Sequence, residues 1–384
     1  MPNSASPPQS KKTSSLSSSW PFTVFVSLLA PVVAAVFVFY QLDTFEPARL
    51  PLHELAPSPV TAPVHNDRML RGSEQVGSGV LKAPEDVVYD SESGVVYTGC
   101  EDGWVRRVTV IDSAADSVVE DWVNTGGRPL GLAIANNEII VADAYKGLLS
   151  ITGNSTLLLT DEADGRKFKL TDAVDIAEDG MIYFTDASYK YDLKDHIFDV
   201  LEGKPHGRFM SFDPKTRTTR VLVPDIYFAN GVAVSPDQTY VVFCETVMRR
   251  CKKYYIKGDK SGRVEKFIDD LPGVPDNIHY DGQGLYWIAL NTEVTKAWDL
   301  ALRYPFIRKI IAIVERYVGM PNLLKNGGVL AVDLEGKPIA HYYDPELTLI
   351  TSAIKIGDYL YCGSLNKPYV IRLNLHKHPA RAAT

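Results

Sequence analysis

One unit recurs six times along this chain of 384 residues: a polar entry, an alternating apolar strand, a turn built on Asp or Gly, and a second strand. The cleanest copy is Ala229-Asn230-Gly231-Val232-Ala233-Val234-Ser235-Pro236-Asp237, answered by Tyr240-Val241-Val242-Phe243. Other copies open at Pro84-Glu85-Asp86, Pro129-Leu130-Gly131, Thr171-Asp172-Ala173, Pro275-Asp276-Asn277 and Thr351-Ser352-Ala353. Strands of period two joined by short Asp/Gly turns read as hairpins. Further apolar strands, such as Val105 to Val110 and Tyr369 to Leu373, complete several units. Repetition of four-stranded units of roughly 40 to 50 residues predicts an all-β, six-bladed β-propeller. The chain is long for one ordinary domain, but a propeller of this size is a single domain with a large core.

In such a fold the innermost strands ring the central axis, so residues at one register position meet. The second column of the repeat reads Glu85, Leu130, Asp172, Asn230, Asp276, Ser352. Three carboxylates and an amide on one ring, with Asn277 alongside, form a hard-oxygen set suited to Ca²⁺, which takes about six to eight oxygen ligands. The competing reading makes each of them a turn former bonding its own backbone; the shared register favours the metal.

The rest of the chain sets the context. Net charge −7 and a pI near 5.7 give no electrostatic reason to expect nucleic acid, and no P-loop or dinucleotide fingerprint occurs between a strand and a helix. Residues 1–20 read as a Ser/Pro-rich tail carrying Lys11 and Lys12. Residues 21–42 are apolar for long enough to span a bilayer. Lysines before and Asp43 and Glu46 after place the N-terminus in the cytosol, predicting a single-pass type II protein of the endomembrane system, in endoplasmic reticulum, vacuole or plasma membrane. A cleaved signal peptide is the alternative; the apolar run exceeds the usual h-region of about 7 to 15 residues. Residues 43–70, rich in proline, are expected to act as a stiff stalk ahead of the propeller at 71–384. Asn154-Ser155-Thr156 is a glycosylation sequon. Of four cysteines, Cys244 and Cys251 flank a strand turn and either pair across a hairpin or remain thiols. An insertion at 294–324, assigned between the fifth and sixth units, carries Trp298, Leu302, Phe306, Ile310, Ile313 and Tyr317 at helical spacing. It predicts amphipathic helices that pack on the rim, form a lid, or touch the membrane.

Pro84-Glu85-Asp86, Arg128-Pro129-Leu130-Gly131-Leu132, Tyr183-Phe184-Thr185-Asp186-Ala187-Ser188, Phe228 to Ser235 and Pro275 to Ile278 together resemble the strictosidine synthase-like family. The stretch around Cys244 and Cys251 resembles its plant branch. Relatives of that family include the adipocyte plasma membrane-associated protein and, more distantly, paraoxonases and calcium-dependent lactonases. The resemblance covers the chain beyond residue 70 and implies a propeller with its mouth on one face and, as in the hydrolase relatives, a hub calcium. Glu85, Asn230, Asp276 and Asn277 match that calcium pattern, while Asp172 stands where paraoxonases use an amide.

The same resemblance argues against two activities. Strictosidine synthesis requires a glutamate just before the last inner strand, and Thr348 to Ala353 contains no acid. The paraoxonase histidine is matched here by Leu130. What remains is a metal-assisted hydrolase of esters or lactones acting on a small molecule at the propeller mouth, with Asp172 or Asp186 as base. A membrane-tethered propeller that binds a lipid, glycan or protein without turnover is the alternative. His196 and His206 are expected to be solvated in the third unit's insertion, and His279 to be a satisfied core group.

Overall fold

The computed structural model describes residues 20–51, 54, 58–135, 138–319 and 324–382; residues 1–19 of the tail predicted at 1–20 and part of the predicted stalk fall outside these. Six four-stranded antiparallel sheets follow one another as blades. Blade 1 comprises Val87–Asp90, Val95–Gly99, Trp104–Thr109 and Val118–Asn124; blade 2 runs from Pro129–Ala135 to Ser155–Thr160. Blades 3 and 4 run from Thr171–Ile176 to Thr218–Ile226 and from Ala229–Val234 to Val264–Ile268. Blade 5 holds Gly273–Tyr280, Tyr286–Glu293, Gly327–Val332 and Pro338–Asp344. Blade 6 takes its three inner strands, Ile350–Ile356, Tyr359–Ser364 and Val370–Asn374, from the end of the chain and its outer strand, Ser73–Val76, from the beginning. That pairing closes the ring, because the last blade is completed by a strand from before the first.

The blades hold together because each sheet is apolar on both faces and buries them against its neighbours. Val232, Val234, Val241 and Phe243 of blade 4 meet Ala173, Tyr183 and Phe209 of blade 3, whereas Val242 and Cys244 join Ile278, Tyr286, Ile288 and Leu330 of blade 5 on the other side. Fully buried strands explain the near-continuous apolar runs of the repeats.

The described residues include four α-helices. α1 (Trp20–Leu42) precedes the propeller, and Leu28, Val32, Phe37 and Leu42 on it are exposed. Among the described residues, no helix is long and apolar enough to cross a membrane. α2 (His196–Glu202) joins the second and third strands of blade 3. α3 (Lys296–Arg303) starts at Thr295, whose hydroxyl accepts from Trp298 N at 3.2 Å, and α4 (Pro305–Tyr317) starts on a proline, each a favoured helix entry.

Three features depart from the sequence expectations. First, the helical insertion lies inside blade 5, between Tyr286–Glu293 and Gly327–Val332, not between the fifth and sixth units; that blade's two outer strands follow the helices. Secondly, the predicted stalk lies along the propeller instead of standing off it. Phe45, Leu50, Ala62 and Met69 are buried, and Val64–Asn66 adds a parallel strand to the edge of blade 5, because apolar residues set among the prolines find partners there. Thirdly, the apolar stripe of the insertion is split: Leu302 and Ile313 are buried, Phe306 and Tyr317 are exposed, and Arg308 is buried instead. The Arg308 guanidinium donates to Ala301 O at 3.1 Å, to Leu201 O at 2.9 Å and to Ala48 O. It thereby satisfies orphan carbonyls at the C-terminal ends of α3 and α2, where a cation is favoured. Burial draws its pKa down to about 10, so it is charged at neutral pH.

Candidate metal centre

The inner strands do not begin as regular ladders. In blades 2, 3, 4 and 5 the pairing shifts between Pro129 and Leu132, Thr171 and Val174, Ala229 and Val232, and Pro275 and Ile278. An irregularity of this kind re-aims a side chain out of the sheet pleat, and here it falls on the column residues. Glycines allow the blades to close upon them. A Cβ on Gly131 would come within 2.7 Å of Asp172 O, and one on Gly231 within 2.4 Å of Asp276 O. Threonine hydroxyls fix the same strand starts: Thr185 Oγ1 donates to Asn230 O at 3.0 Å, Thr246 Oγ1 to Pro275 O at 2.9 Å, and Thr351 Oγ1 to Glu85 O at 2.7 Å.

The result is a buried cluster on the axis. Carboxylate oxygens of Glu85, Asp172 and Asp276 lie within 4.8 Å of one another. Burial, then the neighbouring charges of Asp276, Asp86 and Asp172, holds the Glu85 carboxyl well above the usual range. Burial, followed by Asp276, Asp186 and Asp86, does the same to Asp172. Asp276 is pushed up to about 7 by burial, against hydrogen bonds from Asn291 and Asn230. Asn277 Nδ2 donates to Glu85 Oε1 at 2.8 Å. Glu85 Oε2, Asn230 Oδ1 and Asn291 Oδ1 are buried acceptors without a donor, each costly in a dry interior.

These residues fit a hard cation. Orphaned oxygens, mutually repelling carboxylates and the lack of sulfur or imidazole among them are the chemistry of a Ca²⁺ site. Glu85, Asp172, Asn230, Asp276 and the Asn277 position all stand at this centre; Leu130 and Ser352, in the same column, do not supply ligands. Leu130 packs in an apolar cluster with Leu50, Phe228, Val247, Met248 and Leu302, and Ser352 Oγ donates to Asp86 Oδ1 at 2.6 Å.

The two candidate bases differ. Asp186 is fully buried, with Oδ2 accepting from Arg208 at 2.5 Å and Oδ1 from the backbone N–H groups of Leu170 and Lys169 at 3.0 and 3.2 Å. Burial lifts it to about 6, but its lone pairs are committed to holding blade 3 together. Asp172 carries no such ion pair among the described residues. His279 Nε2 lies 2.7 Å from Asp86 Oδ1, the satisfied core pair expected of it. His206 departs from expectation: it is buried, with Nδ1 2.9 Å from Asp199 Oδ2. Ser188 Oγ donates to that same oxygen at 2.5 Å, so the carboxylate sits between serine and histidine, locking the insertion of blade 3 without making a nucleophile.

Comparison with known proteins gives the family. The family model described as strictosidine synthase matches residues 172–259, and that described as strictosidine synthase-like, N-terminal, matches residues 65–108. Strictosidine synthase-like proteins 6 and 4 of Arabidopsis thaliana are 56% and 58% identical over 93% of this chain and 96% and 97% of theirs. The adipocyte plasma membrane-associated protein of Gallus gallus is 32% identical over 96% of this chain and 94% of its own.

The chain belongs to the strictosidine synthase-like family. Two solved structures share the fold of this strictosidine synthase-like protein. A gluconolactonase from Xanthomonas campestris superposes with a TM-score of 0.56 at 14% identity, covering 83% of this chain and 98% of that one. Regucalcin, a calcium-binding protein from Agrobacterium tumefaciens, gives 0.54 at 15%, covering 84% and 98%.

Sequence reasoning missed Asn291, which reaches Asp276 from the second strand of blade 5 and lies outside the repeated column. It offered a lid as one role of the insertion, but not the part that Leu50 plays in it. Leu50 from the segment after α1 and Leu302 from α3 pack with Leu130, Phe228 and Met248, and cavities of about 570 and 520 Å³ lie beside Gly77 and beside Arg71. Cys244 and Cys251 form a disulfide, Cα to Cα 4.0 Å, across the turn that carries Val247 and Met248. Asn154 is exposed in the turn between the third and fourth strands of blade 2.

Proposed function

We propose that this strictosidine synthase-like protein is a calcium-assisted hydrolase of esters or lactones, held by α1 at an endomembrane. The observation that carries the reading is the hub: three carboxylates within 4.8 Å and the unpartnered oxygens of Glu85 and Asn230. Glu85, Asp172, Asn230 and Asp276 would hold the ion, with Asn277 orienting Glu85. When bound, Ca²⁺ supplies a Lewis acid that polarises a carbonyl oxygen and stabilises the charge developing on it. Asp172, holding the ion through one carboxylate oxygen and lacking the Arg208 pair that occupies Asp186, keeps its other oxygen to take the proton of the attacking water and return it to the leaving alkoxide. The lid of α2, α3 and α4 excludes bulk water from the hub. No carboxylate stands in Thr348 to Ala353, so the reading leaves out strictosidine synthesis.

The membrane part rests on the apolar run of residues 21–42, the exposed apolar side chains of α1 and the printed name of the chicken relative. An exposed Asn154 suits a glycan on the lumenal side.

Leu130 favours a second reading, a binding propeller without turnover: it is buried among apolar residues where the histidine-dependent relatives keep their base. Turnover of aryl esters and lactones by the full-length protein, with and without chelator, separates the two. Activity lost on chelation and in Asp276→Ala supports the hydrolase; chelator-resistant activity, or none across the panel, supports the binding module.

A further inference from the structure

The helices and the chain entering the propeller converge on one face. Inner strands start at the hub, so in an antiparallel blade the turn joining the second and third strands returns to the hub face. That turn holds α2 in blade 3, α3 and α4 in blade 5, and Tyr145 in blade 2. α1 runs into this assembly without slack. Asp43 Oδ2 pairs with Arg316 at 2.5 Å, and Lys309 Nζ donates to Asp43 O at 2.8 Å and lies 4.7 Å from the Tyr40 ring. The rings of Phe39 and Tyr317 are 5.4 Å apart. Just beyond, Phe45 is buried against Leu201 and Ala312.

Two apolar surfaces therefore sit back to back on the mouth. The inner one is the cluster of Leu50, Leu130, Phe228, Met248 and Leu302, with Trp298 packed against it, which covers the way to the hub. The outer one is exposed: Phe306 by 51%, Tyr317 by 62% and Val318 by 80%, with Leu300, Tyr304 and Tyr145 also exposed. Aromatic and aliphatic residues gathered on one face are a patch, not scattered exposure, and the patch is continuous with the apolar surface of α1. The Asn154 turn, between third and fourth strands, points away from it.

We propose that the mouth face lies on the bilayer that holds α1, and that the hub takes a membrane-borne amphiphile, an ester or lactone carrying an acyl chain, through the apolar cluster under the lid. The inference rests on the hydrolase and anchor reading and adds its orientation and substrate class. An amphipathic helix beside a membrane anchor binds the interface through its apolar face, and an apolar path to a polar hub matches a ligand with a long tail and one reactive carbonyl.

The test uses the full-length protein in phosphatidylcholine vesicles, spin-labelled at Phe306→Cys or at Asn154→Cys; Cys100 and Cys362 are buried and the other two cysteines are paired. The label at 306 is expected to collide with oxygen several-fold more than with a water-soluble nickel chelate, and the label at 154 the reverse. An aqueous label at 306 in protein that floats with the vesicles overturns the orientation and leaves the anchor standing; protein that does not float overturns both. For the substrate, Phe306→Glu combined with Tyr317→Glu is expected to slow cleavage of a long-chain lactone in the vesicles about tenfold, while a short water-soluble lactone is cleaved within about twofold of the wild-type rate. Equal effects on both overturn the substrate class. Cleavage of neither by the wild type overturns the hydrolase reading, and the label positions still report the face.

Discussion

Gly231→Ala puts one methyl group where two blades touch beside the hub. A Cβ there would stand 2.4 Å from Asp276 O, 2.8 Å from Ile278 N and 2.9 Å from Asn277 Cα. All three are backbone atoms, so no side chain can swing away, and ordinary contact requires the inner strand of blade 5 to retreat by about 1 Å. Overpacking of this kind costs about 1–3 kcal/mol, which for a domain of this size lowers Tm by roughly 2–10 °C. The larger effect falls on metal binding. Asp276 and Asn277 move with the strand, and Ca²⁺–oxygen distances of about 2.3–2.6 Å leave little room for a displacement of that size. Calorimetric titration of Gly231→Ala with Ca²⁺ is therefore expected to show affinity weakened at least about tenfold, about 1.4 kcal/mol, while circular dichroism retains the all-β signature. Wild-type affinity together with an unchanged Tm would refute the claim that blade contact positions these ligands.

Four other consequences are open to measurement. Without metal, Asp276 keeps its pKa near 7, above its ordinary value of 3.8, chiefly through burial; its contribution to stability is full below pH about 4 and is lost as pH rises through 7. Relative to the calcium profile, Tm in chelator should fall between pH about 4 and 7, and added Ca²⁺ should remove that fall by displacing the protons; a chelator profile that parallels the calcium profile contradicts the carboxylate cluster. His341 is drawn down to about 4 by burial and by His65, so the fold should also lose stability as pH drops from about 6.5 to 4, a fall that His341→Gln should reduce in urea titrations. Arg308→Met strips the donor from three carbonyls at the ends of α2 and α3 and near Ala48; at about 1–3 kcal/mol per orphaned group, limited proteolysis should cut the helical insertion first, and wild-type resistance would deny its clamping role. Breaking the Cys244–Cys251 bond with a double serine variant should cost about 2–3 kcal/mol for so short a loop, read as a lower urea midpoint; an unchanged midpoint would show that packing alone holds the turn.

The repeat was legible because a hub-facing position recurs once per blade, and a ring geometry turns sequence register into proximity. Glu85, Asp172, Asn230 and Asp276 were accordingly found from the column, and the strand irregularities that aim Asp172, Asn230 and Asp276 share its period. Asn291 and Asp86 were not, since neither recurs: one reaches the hub from a second strand, and the other turns to Ser352 and His279. The burial of His206 and Arg308 was equally hidden, because charged residues in an insertion read as solvated until carbonyl ends and a carboxylate are known to converge on them. Prolines between α1 and blade 6 suggested a spacer; Phe45, Leu50 and Met69, spaced too irregularly to mark a strand or helix, bind that segment to the propeller.

Isothermal titration of chelator-treated full-length protein with Ca²⁺, beside Asn230→Ala and Asp276→Ala, bears most directly on the hub. One ion bound per chain with proton release, and binding abolished in both variants, is the predicted result. Heat-silent titration up to millimolar Ca²⁺ with Tm unmoved, or binding that survives both substitutions, would contradict it.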